Sequence, residues 1–117
     1  MKNLDLGTKG ENWACEYLIR KNYKIIERNY RFEKAEIDII AQKDETLVFI
    51  EVKLRTNIHF GFPEEFVNYK KRNLLMKAIN EYISVNQNFK SIRFDIISII
   101  LRNNAPQITH FEDAWGY

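Results

Sequence analysis

Two apolar runs joined by a short polar segment constrain most strongly what this chain can fold into. The runs cover residues 35–42 and 46–54, and the polar residues 43–46 lie at their junction. Runs of this kind around a short turn predict an antiparallel β-hairpin. If the turn is centred between Asp44 and Glu45, then Ala41 faces Val48 across the hairpin.

Both predicted strands carry charged residues among apolar ones. In the same register Asp38 falls directly opposite Glu51 and Glu36 opposite Lys53, and alternation along the strands predicts all four on one face. Strands this apolar are usually covered on both faces, so we expect the carboxylates to be partly desolvated. Two opposed carboxylates then predict a divalent cation between them. The alternative is a solvated face on which these charges are ordinary surface residues.

Length, charge and cysteine content limit the class of protein. A chain of 117 residues predicts one domain, residues 1–117, and a net charge of +2 means that any nucleic-acid surface must arise from local clusters. The single cysteine, Cys15, excludes an internal disulfide framework and favours a reducing compartment. No apolar run resembles a signal peptide or approaches the ~18 residues of a membrane span. We therefore expect a cytoplasmic protein without membrane contact.

Residues 4–22 are predicted to form the first helix. Ala14 and Leu18 lie on its apolar stripe, and Glu11 falls on the same line. The segment from Thr8 to Glu11 also matches a capping box, in which Glu11 would accept a hydrogen bond from the Thr8 amide. The pattern leaves both roles of Glu11, cap and site residue, open.

A second helix is predicted from Asn68 to about residue 85, after a loop at residues 58–62 and an acidic helix start at 61–65. Its apolar stripe contains Leu75, Ala78, Ile79 and Tyr82. Lys71 lies on the line of this stripe, which directs it inward along the sheet; the pattern alone favours the ordinary explanation, a lysine that snorkels at a helix end. Lys70 and Lys77 are expected on the solvated side.

The remaining segments predict further strands and a tail. Residues 23–32 and 91–101 have strand composition, and residues 107–111 form a weaker final strand. Asp95, within the buried strand, could be structural or could belong to a site. His59 and His110 are isolated, without zinc-type spacing, and are expected on the surface or in loops. The aromatic tail, residues 113–117, is expected to dock on the domain or on a second subunit.

The α-β-β-β-α-β order, with Asp38, Glu51 and Lys53 on the second and third strands, resembles the core of the PD-(D/E)xK nucleases. These include restriction-type enzymes and the archaeal Holliday junction resolvases. More closely, the chain resembles the YraN family of small bacterial proteins, which are uncharacterised and predicted to be endonucleases. The matching residues are 10–11, 27–31, 36–41, 49–53, 55, 61, 63–65, 71–72 and 93–95. Ala35, where glycine is common, and Asn68-Tyr69, where Thr-Pro is common, depart from the family pattern.

The resemblance implies a restriction endonuclease-like α/β core, with a central mixed sheet flanked by helices. By position it implies that Asp38 and Glu51 bind Mg²⁺ or Mn²⁺, that Lys53 is the catalytic lysine and that Glu11 is the first-helix acid. Mg²⁺ prefers hard oxygen ligands, which these carboxylates supply. The basic residues expected to contact flanking phosphates are Arg55, Lys70, Lys71, Arg72 and Lys77.

The resemblance therefore predicts a Mg²⁺-dependent endonuclease that acts on DNA, with branched DNA among the candidate substrates. Two alternatives stay open. One is a nucleic-acid-binding module that keeps the fold without turnover. The other is an interaction protein that forms a homodimer through its aromatic tail.

Overall fold

The computed structural model describes residues 5–56 and 69–116. The elements in chain order are α1 (Leu6–Arg20), β1 (Lys24–Phe32), β2 (Ala35–Lys43), β3 (Thr46–Arg55), α2 (Tyr69–Val85), β4 (Ser91–Arg102), β5 (Ala105–Phe111) and a 3₁₀ turn (Ala114–Gly116). The predicted α/β fold with the restriction endonuclease-like order α-β-β-β-α-β is confirmed, and the weaker final strand follows as β5. The predicted loop at 58–62, the helix start at 61–65, the Asn68 cap and His59 lie outside the described residues.

The five strands form one mixed sheet in the order β1-β2-β3-β4-β5. Strands β3 and β4 are parallel, and every other neighbouring pair is antiparallel. A parallel pair needs a crossover connection, which here contains α2. The sheet is therefore built from a local three-stranded meander, a crossover and a final hairpin.

The two helices cover opposite faces of the sheet. The α1-side core contains Ala14, Cys15, Leu18, Tyr23, Ile39, Ala41, Val48, Ile50, Ile97 and Ile99. The α2-side core contains Ala35, Ile37, Ile40, Leu47, Phe49, Leu75, Ala78, Ile79, Tyr82, Phe94, Ile96 and Ala114. The central strands are apolar on both faces because each face is covered by a helix. Among the helices of the described residues, none has the length and apolar character needed to cross a bilayer.

The hairpin of β2 and β3 has the predicted register. Lys43 pairs with Thr46 across a two-residue turn, and Ala41 pairs with Val48. Asp44 has a φ of 54°, a left-handed conformation that aspartate tolerates in such turns. Away from the turn, the ladder between the two strands ends at the pair Ile39 and Ile50, and β2 separates from β3 beyond it.

The side-chain alternation of β2 breaks at Asp38. Ile37 packs in the α2-side core and Ile39 in the α1-side core, although residues two apart on a regular strand share a face. On the neighbouring strand β1, Asn29 has a φ of 56° and lies between the pairs that Ile37 and Ile39 make with this strand. The two strands therefore exchange faces at Asn29 and Asp38.

This irregularity corrects two predictions. Glu36 pairs with Arg31 of β1, with 3.1 Å between their charged atoms, and not with Lys53. Asp38 does not form a ladder pair with Glu51, because the ladder between β2 and β3 ends at Ile39 and Ile50. The prediction that all four charged residues share one face is therefore wrong for Glu36.

The predicted capping box is also wrong. The N-cap of α1 is Asp5, whose Oδ1 accepts a hydrogen bond of 2.7 Å from the Thr8 amide. Thr8 lies in the first turn, since the helix begins two residues earlier, and Glu11 is left to contact another part of the chain. Aspartate at the N-cap satisfies one of the unpaired amides of the first turn.

The left-handed backbone of Asn29 predicts a side-chain preference that can be measured. Asn29→Gly should leave the free energy of unfolding nearly unchanged or raise it, because glycine adopts positive φ without steric cost. Asn29→Val should lower it by about 1–2 kcal/mol, because a β-branched residue is strained there. Lys24→Val, on the same strand and exposed, is the control. Equal urea-denaturation midpoints for Asn29→Val and Lys24→Val would contradict the assignment.

Candidate functional site

Glu51 is the centre of the candidate site. Its side chain is 12% exposed, and its Oε1 accepts contacts from two lysines: Lys53 at 3.0 Å and Lys71 of α2. Its Oε2 is buried and has no hydrogen-bond partner among residues 5–56 and 69–116. Lys71 therefore points inward, as the stripe of α2 predicts, and both lysines contact the same oxygen of the Glu51 carboxylate, Oε1.

Asp38 lies where β2 leaves β3. Its Oδ2 accepts a hydrogen bond of 2.7 Å from the Val52 amide. The side chain thus provides the acceptor for a backbone amide that lies beyond the end of the β2–β3 ladder. Burial raises the pKa of Asp38 to about 6; the hydrogen bond from Val52 opposes this rise, and the negative charges of Glu51, Glu11 and Glu36 add to it. The carboxyl group is therefore held in a place that disfavours its charge.

Glu11 reaches the site from α1. The helix approaches β3 closely at Gly10, where an added Cβ would lie 3.4 Å from the Leu54 Cβ. Arg28 of β1 contacts Glu11 at 3.5 Å and donates a hydrogen bond of 2.8 Å to Asn12. Glycine at this position lets α1 lie close to β3, so that Glu11 reaches the same end of the sheet as Asp38 and Glu51.

Two clefts meet at Asp38. One of about 540 Å³ lies between the start of α1 and the end of β3, and Glu11 and Asp38 both line it. The other, of about 300 Å³, lies toward α2 and is lined by Asp38, Glu51 and Lys71. Asp38 is thus accessible to a ligand from both sides of the sheet edge, and Glu51 from the α2 side.

The residues predicted to contact phosphates come from two elements, the end of β3 and α2. Lys70 and Lys77 are exposed on α2, and Arg55, at the end of β3, is half-buried and donates a hydrogen bond of 2.9 Å to the Leu54 carbonyl. Arg72 lies over the ring of Trp115, 4.7 Å from its centroid. Trp115 also stacks on Phe94 at 4.3 Å between centroids, so this tail residue docks on its own chain.

The donor set fits a divalent cation. Carboxylate oxygens are hard ligands, and a buried carboxylate oxygen without a partner is costly unless a cation or a proton satisfies it. Glu51 Oε2 is such an oxygen, and Asp38 lines the same cleft. In the described part of the chain, Glu11, Asp38 and Glu51 do not converge within 4.8 Å of one another as a three-ligand group. The pair Asp38 and Glu51 is therefore the set that would hold a cation, with Glu11 beside it.

A second polar cluster, which the sequence did not predict, lies on the α1 face. Asp95 is fully buried, accepts two hydrogen bonds of 2.9 Å from Arg93, and contacts His110 Nε2 at 2.7 Å. His110 Nδ1 lies 3.0 Å from the Tyr17 hydroxyl. The expectation that His110 is a surface or loop residue is wrong, because β5 carries it against β4, where its side chain is only 8% exposed.

This second cluster has the composition of a metal site but is already satisfied. Ligand atoms of Asp95, His110 and Glu112 lie within 4.8 Å of one another. Arg93 contacts Glu112 at 3.0 Å as well as Asp95, so its guanidinium occupies the position of a cation. Burial alone would raise the pKa of Asp95, but hydrogen bonds from His110, Arg93 and the Asp113 amide outweigh it and lower the pKa. The role of Asp95 is therefore structural.

The signal for this cluster was present in the sequence but was not local. Arg93 and Asp95 are two residues apart on a strand, which places both on one face. The pairing of Ile97 with His110 across β4 and β5 then brings the histidine next to Asp95. Without the register of that second hairpin, His110 looks isolated.

Fold and site together define an α/β protein with a five-stranded mixed sheet, in which two acids and two lysines lie near the ends of β2 and β3. The chain belongs to the uncharacterised protein family UPF0102, whose sequence profile matches residues 10–99. It is 50% identical to a UPF0102 protein of Flavobacterium psychrophilum over 95% of this chain and 93% of that one. Identity to the relative from Christiangramia forsetii is 46%, over 97% and 95%, and to that from Geobacter metallireducens 42%, over 98% and 95%.

Among solved structures, the chain is similar to SfsA of Pyrococcus furiosus, determined in complex with Ca²⁺. The superposition has a TM-score of 0.40 at 13% identity, covering 90% of this chain and 63% of the longer SfsA chain. A likeness of this size transfers no property to the present protein.

The raised pKa of Asp38 predicts a pH-dependent loss of stability without metal. The pKa is 3.8 for an ordinary aspartate and about 6 in the fold, so the folded state holds the extra proton between these values. Stability from this group is therefore fullest at low pH and falls as pH rises from about 4 to about 6, by as much as about 3 kcal/mol. Asp38→Asn, which can still accept from Val52, should abolish this fall and be more stable in EDTA at pH 7.5.

Chemical denaturation of both proteins in EDTA across pH 4–8 measures the difference. Glu45→Gln is the control, because it removes an exposed acid that is paired with Lys90 at the turn end of the hairpin, away from Asp38. If the free energies of wild type and Asp38→Asn run parallel across this range, then Asp38 is not held in an unfavourable charged state.

Proposed function

We propose that this protein is a divalent-cation-dependent nuclease that hydrolyses phosphodiester bonds in DNA. The observation that carries the proposal is the buried Glu51 Oε2, which has no partner among the described residues while Glu51 Oε1 contacts two lysines. A buried carboxylate oxygen in this state, next to a second desolvated carboxylate, Asp38, offers an acceptor that a bound cation would satisfy. The family relationship agrees with the proposal but does not supply an activity.

Asp38 and Glu51 would hold the cation, Mg²⁺ or Mn²⁺. When bound, it would lower the pKa of a coordinated water and neutralise charge on the scissile phosphate. Asp38 is kept in position by the Val52 amide, and Glu51 by its lysines. The fixed positions of both side chains mean that little reorganisation is needed when the substrate arrives.

Lys53 would stabilise negative charge that develops on the phosphate. It lies two residues from Glu51 on the same strand and 3.0 Å from its Oε1, so its ammonium group is at the acid pair. Burial lowers the pKa of Lys53, Glu51 opposes that effect, and the neighbouring Lys71 adds to the lowering. A lysine that is mostly buried at this position can act on a reacting group with little screening by water.

The remaining assigned residues would bind and position. Glu11, in the cleft it shares with Asp38, would orient water or the cation from the α1 side. The exposed lysines of α2, Lys70 and Lys77, together with Arg55, would contact flanking phosphates without reading sequence. Arg72 would contribute less, because its guanidinium lies on Trp115. DNA as the substrate would place the protein in the cytoplasm.

A cleavage screen tests the proposal directly. Purified protein is incubated with labelled duplex, single-stranded, flap and four-way DNA in Mg²⁺, Mn²⁺ or EDTA. We expect metal-dependent cleavage of at least one substrate that Glu51→Gln abolishes. Binding without cleavage in every condition would instead support a nucleic-acid-binding module of the same fold. Cleavage that persists in Glu51→Gln would point to a contaminating nuclease.

The division between chemistry and binding gives a sharper prediction. Lys53→Ala should lower the cleavage rate by about 10²–10³-fold, the range for removal of one group that stabilises transition-state charge, while DNA affinity changes little. Replacing Lys70 and Lys77 together with alanine should instead weaken affinity and reduce the slope of log affinity against log salt by about 2, since two phosphate contacts are lost. Anisotropy titrations and single-turnover rates measure both. Equal loss of affinity in the two variants would contradict the division.

A further inference from the structure

Glu51 Oε1 is shared by two ammonium groups that come from different elements. Lys53 lies on the same strand and its side chain is 13% exposed, whereas Lys71 comes from α2 and is 38% exposed. One carboxylate oxygen thus carries two positive charges, while Oε2 of the same group has no partner among the described residues. This distribution is uneven for a carboxylate, which can accept hydrogen bonds on both oxygens.

The charges of the cleft are close to balanced before any cation enters. Among the described residues, the carboxylates of Glu36, Asp38 and Glu51 contribute three negative charges, and Lys34, Lys53 and Lys71 contribute three positive ones. A divalent cation that binds at the two acids therefore meets one carboxylate, that of Glu51, which already has two ammonium groups at contact distance. Since like charges repel strongly in a partly buried site, one lysine must move away from Glu51 for the cation to bind well.

The structure indicates which lysine is able to move. Lys53 is held by its strand, and most of its side chain is buried. Lys71 has a long flexible side chain near the start of α2, is three times as exposed, and lines the cleft that opens toward solvent. Its ammonium group can leave Glu51 without being desolvated further.

We propose that Lys71 is a built-in counter-ion of Glu51, which competes with the divalent cation and transfers to a substrate phosphate once the cation binds. The inference rests on the proposed function, because it assigns a cation and a phosphate to that same site. It makes Lys71 a positioning residue that differs from the exposed phosphate contacts, Lys70 and Lys77.

Coupled binding follows from the same charges. With both lysines and a divalent cation present, the site has two positive charges in excess. A phosphodiester and an attacking hydroxide bring one negative charge each and restore the balance. Cation and nucleic acid should therefore strengthen each other's binding by the same factor, as linkage requires. The cation alone should bind weakly.

The test uses Lys71→Gln, which removes the charge but keeps the length and a hydrogen-bond donor. Lys71→Arg, which keeps the charge, is the conservative variant. Lys90→Gln is the matched control, because Lys90 forms a Lys–Glu pair with Glu45, 3.1 Å apart and at the turn end of the hairpin, away from Asp38. Thermal unfolding in EDTA establishes that each variant is folded.

Mn²⁺ affinity is measured by calorimetry at pH 8, first with Mn²⁺ alone and then with a short phosphorothioate DNA duplex present. Lys71→Gln should bind Mn²⁺ alone roughly three- to tenfold more tightly than wild type, because a competing charge is gone. The further gain that DNA gives should shrink by a similar factor. Lys71→Arg and Lys90→Gln should both behave like wild type.

Three results would overturn the inference. The first is Mn²⁺ binding by Lys71→Gln that is no tighter than that of wild type. The second is equal binding by Lys71→Arg and Lys71→Gln, which would exclude charge as the cause. The third is the same gain in Lys90→Gln, which would make it a general charge effect. The proposed function is judged separately. Metal-dependent cleavage with unchanged Mn²⁺ affinity in Lys71→Gln keeps the nuclease and removes the counter-ion role. Tighter Mn²⁺ binding by Lys71→Gln, in a protein that cleaves no DNA, would keep the counter-ion role and remove the nuclease function.

Discussion

The hydrogen bond from the Val52 amide to the Asp38 carboxylate is the interaction on which the site depends. The backbone ladder between β2 and β3 ends at Ile39 and Ile50, so a backbone amide just beyond it requires another acceptor. The carboxylate supplies this acceptor at 2.7 Å. As a result β2 separates from β3 without an unpaired buried amide, and the space between the strands becomes a cleft with an acid at its closed end.

Asp95 and Glu51 show opposite solutions to the cost of burying a carboxylate. Asp95 is fully buried and receives hydrogen bonds from an arginine, a histidine and a backbone amide. These hydrogen bonds offset the free-energy cost of burying its carboxylate. Glu51 has two lysines on one oxygen and none of the described groups on the other. The first arrangement joins the final hairpin to the rest of the sheet. The second leaves a place for a ligand, which is the usual difference between structural and functional polar clusters.

Local patterns predicted the parts of the fold that local interactions determine. The turn at Asp44 and the alternation of apolar residues gave the register of the hairpin. The helical stripe placed Lys71 on the sheet-facing side of α2, although its contact with Glu51 was visible only in the structure. The positions of Glu36 and His110 could not be obtained in this way. The first depends on the left-handed backbone of Asn29 in a neighbouring strand, and the second on pairing between β4 and β5.

The prediction of the helix cap was wrong for a different reason. Asp5 and Thr8 are both good N-cap residues three positions apart, and the sequence alone does not say which one begins the helix. Only the contact between Arg28 and Glu11 in the folded chain shows that the glutamate faces the sheet edge. The candidate acids were thus predictable as residue types and positions in the chain, whereas their partners required the three-dimensional structure.

The parallel pairing of β3 with β4 has a consequence for the order in which the site forms. Asp38 and Glu51 belong to a hairpin with a two-residue turn, which closes quickly because its contacts are local in sequence. Lys71 belongs to the crossover between β3 and β4, whose closure costs more chain entropy and comes later on average. The nascent chain therefore presents its acids before the lysine that neutralises one of them. During that interval, a divalent cation in the surroundings would meet the hairpin without its competitor.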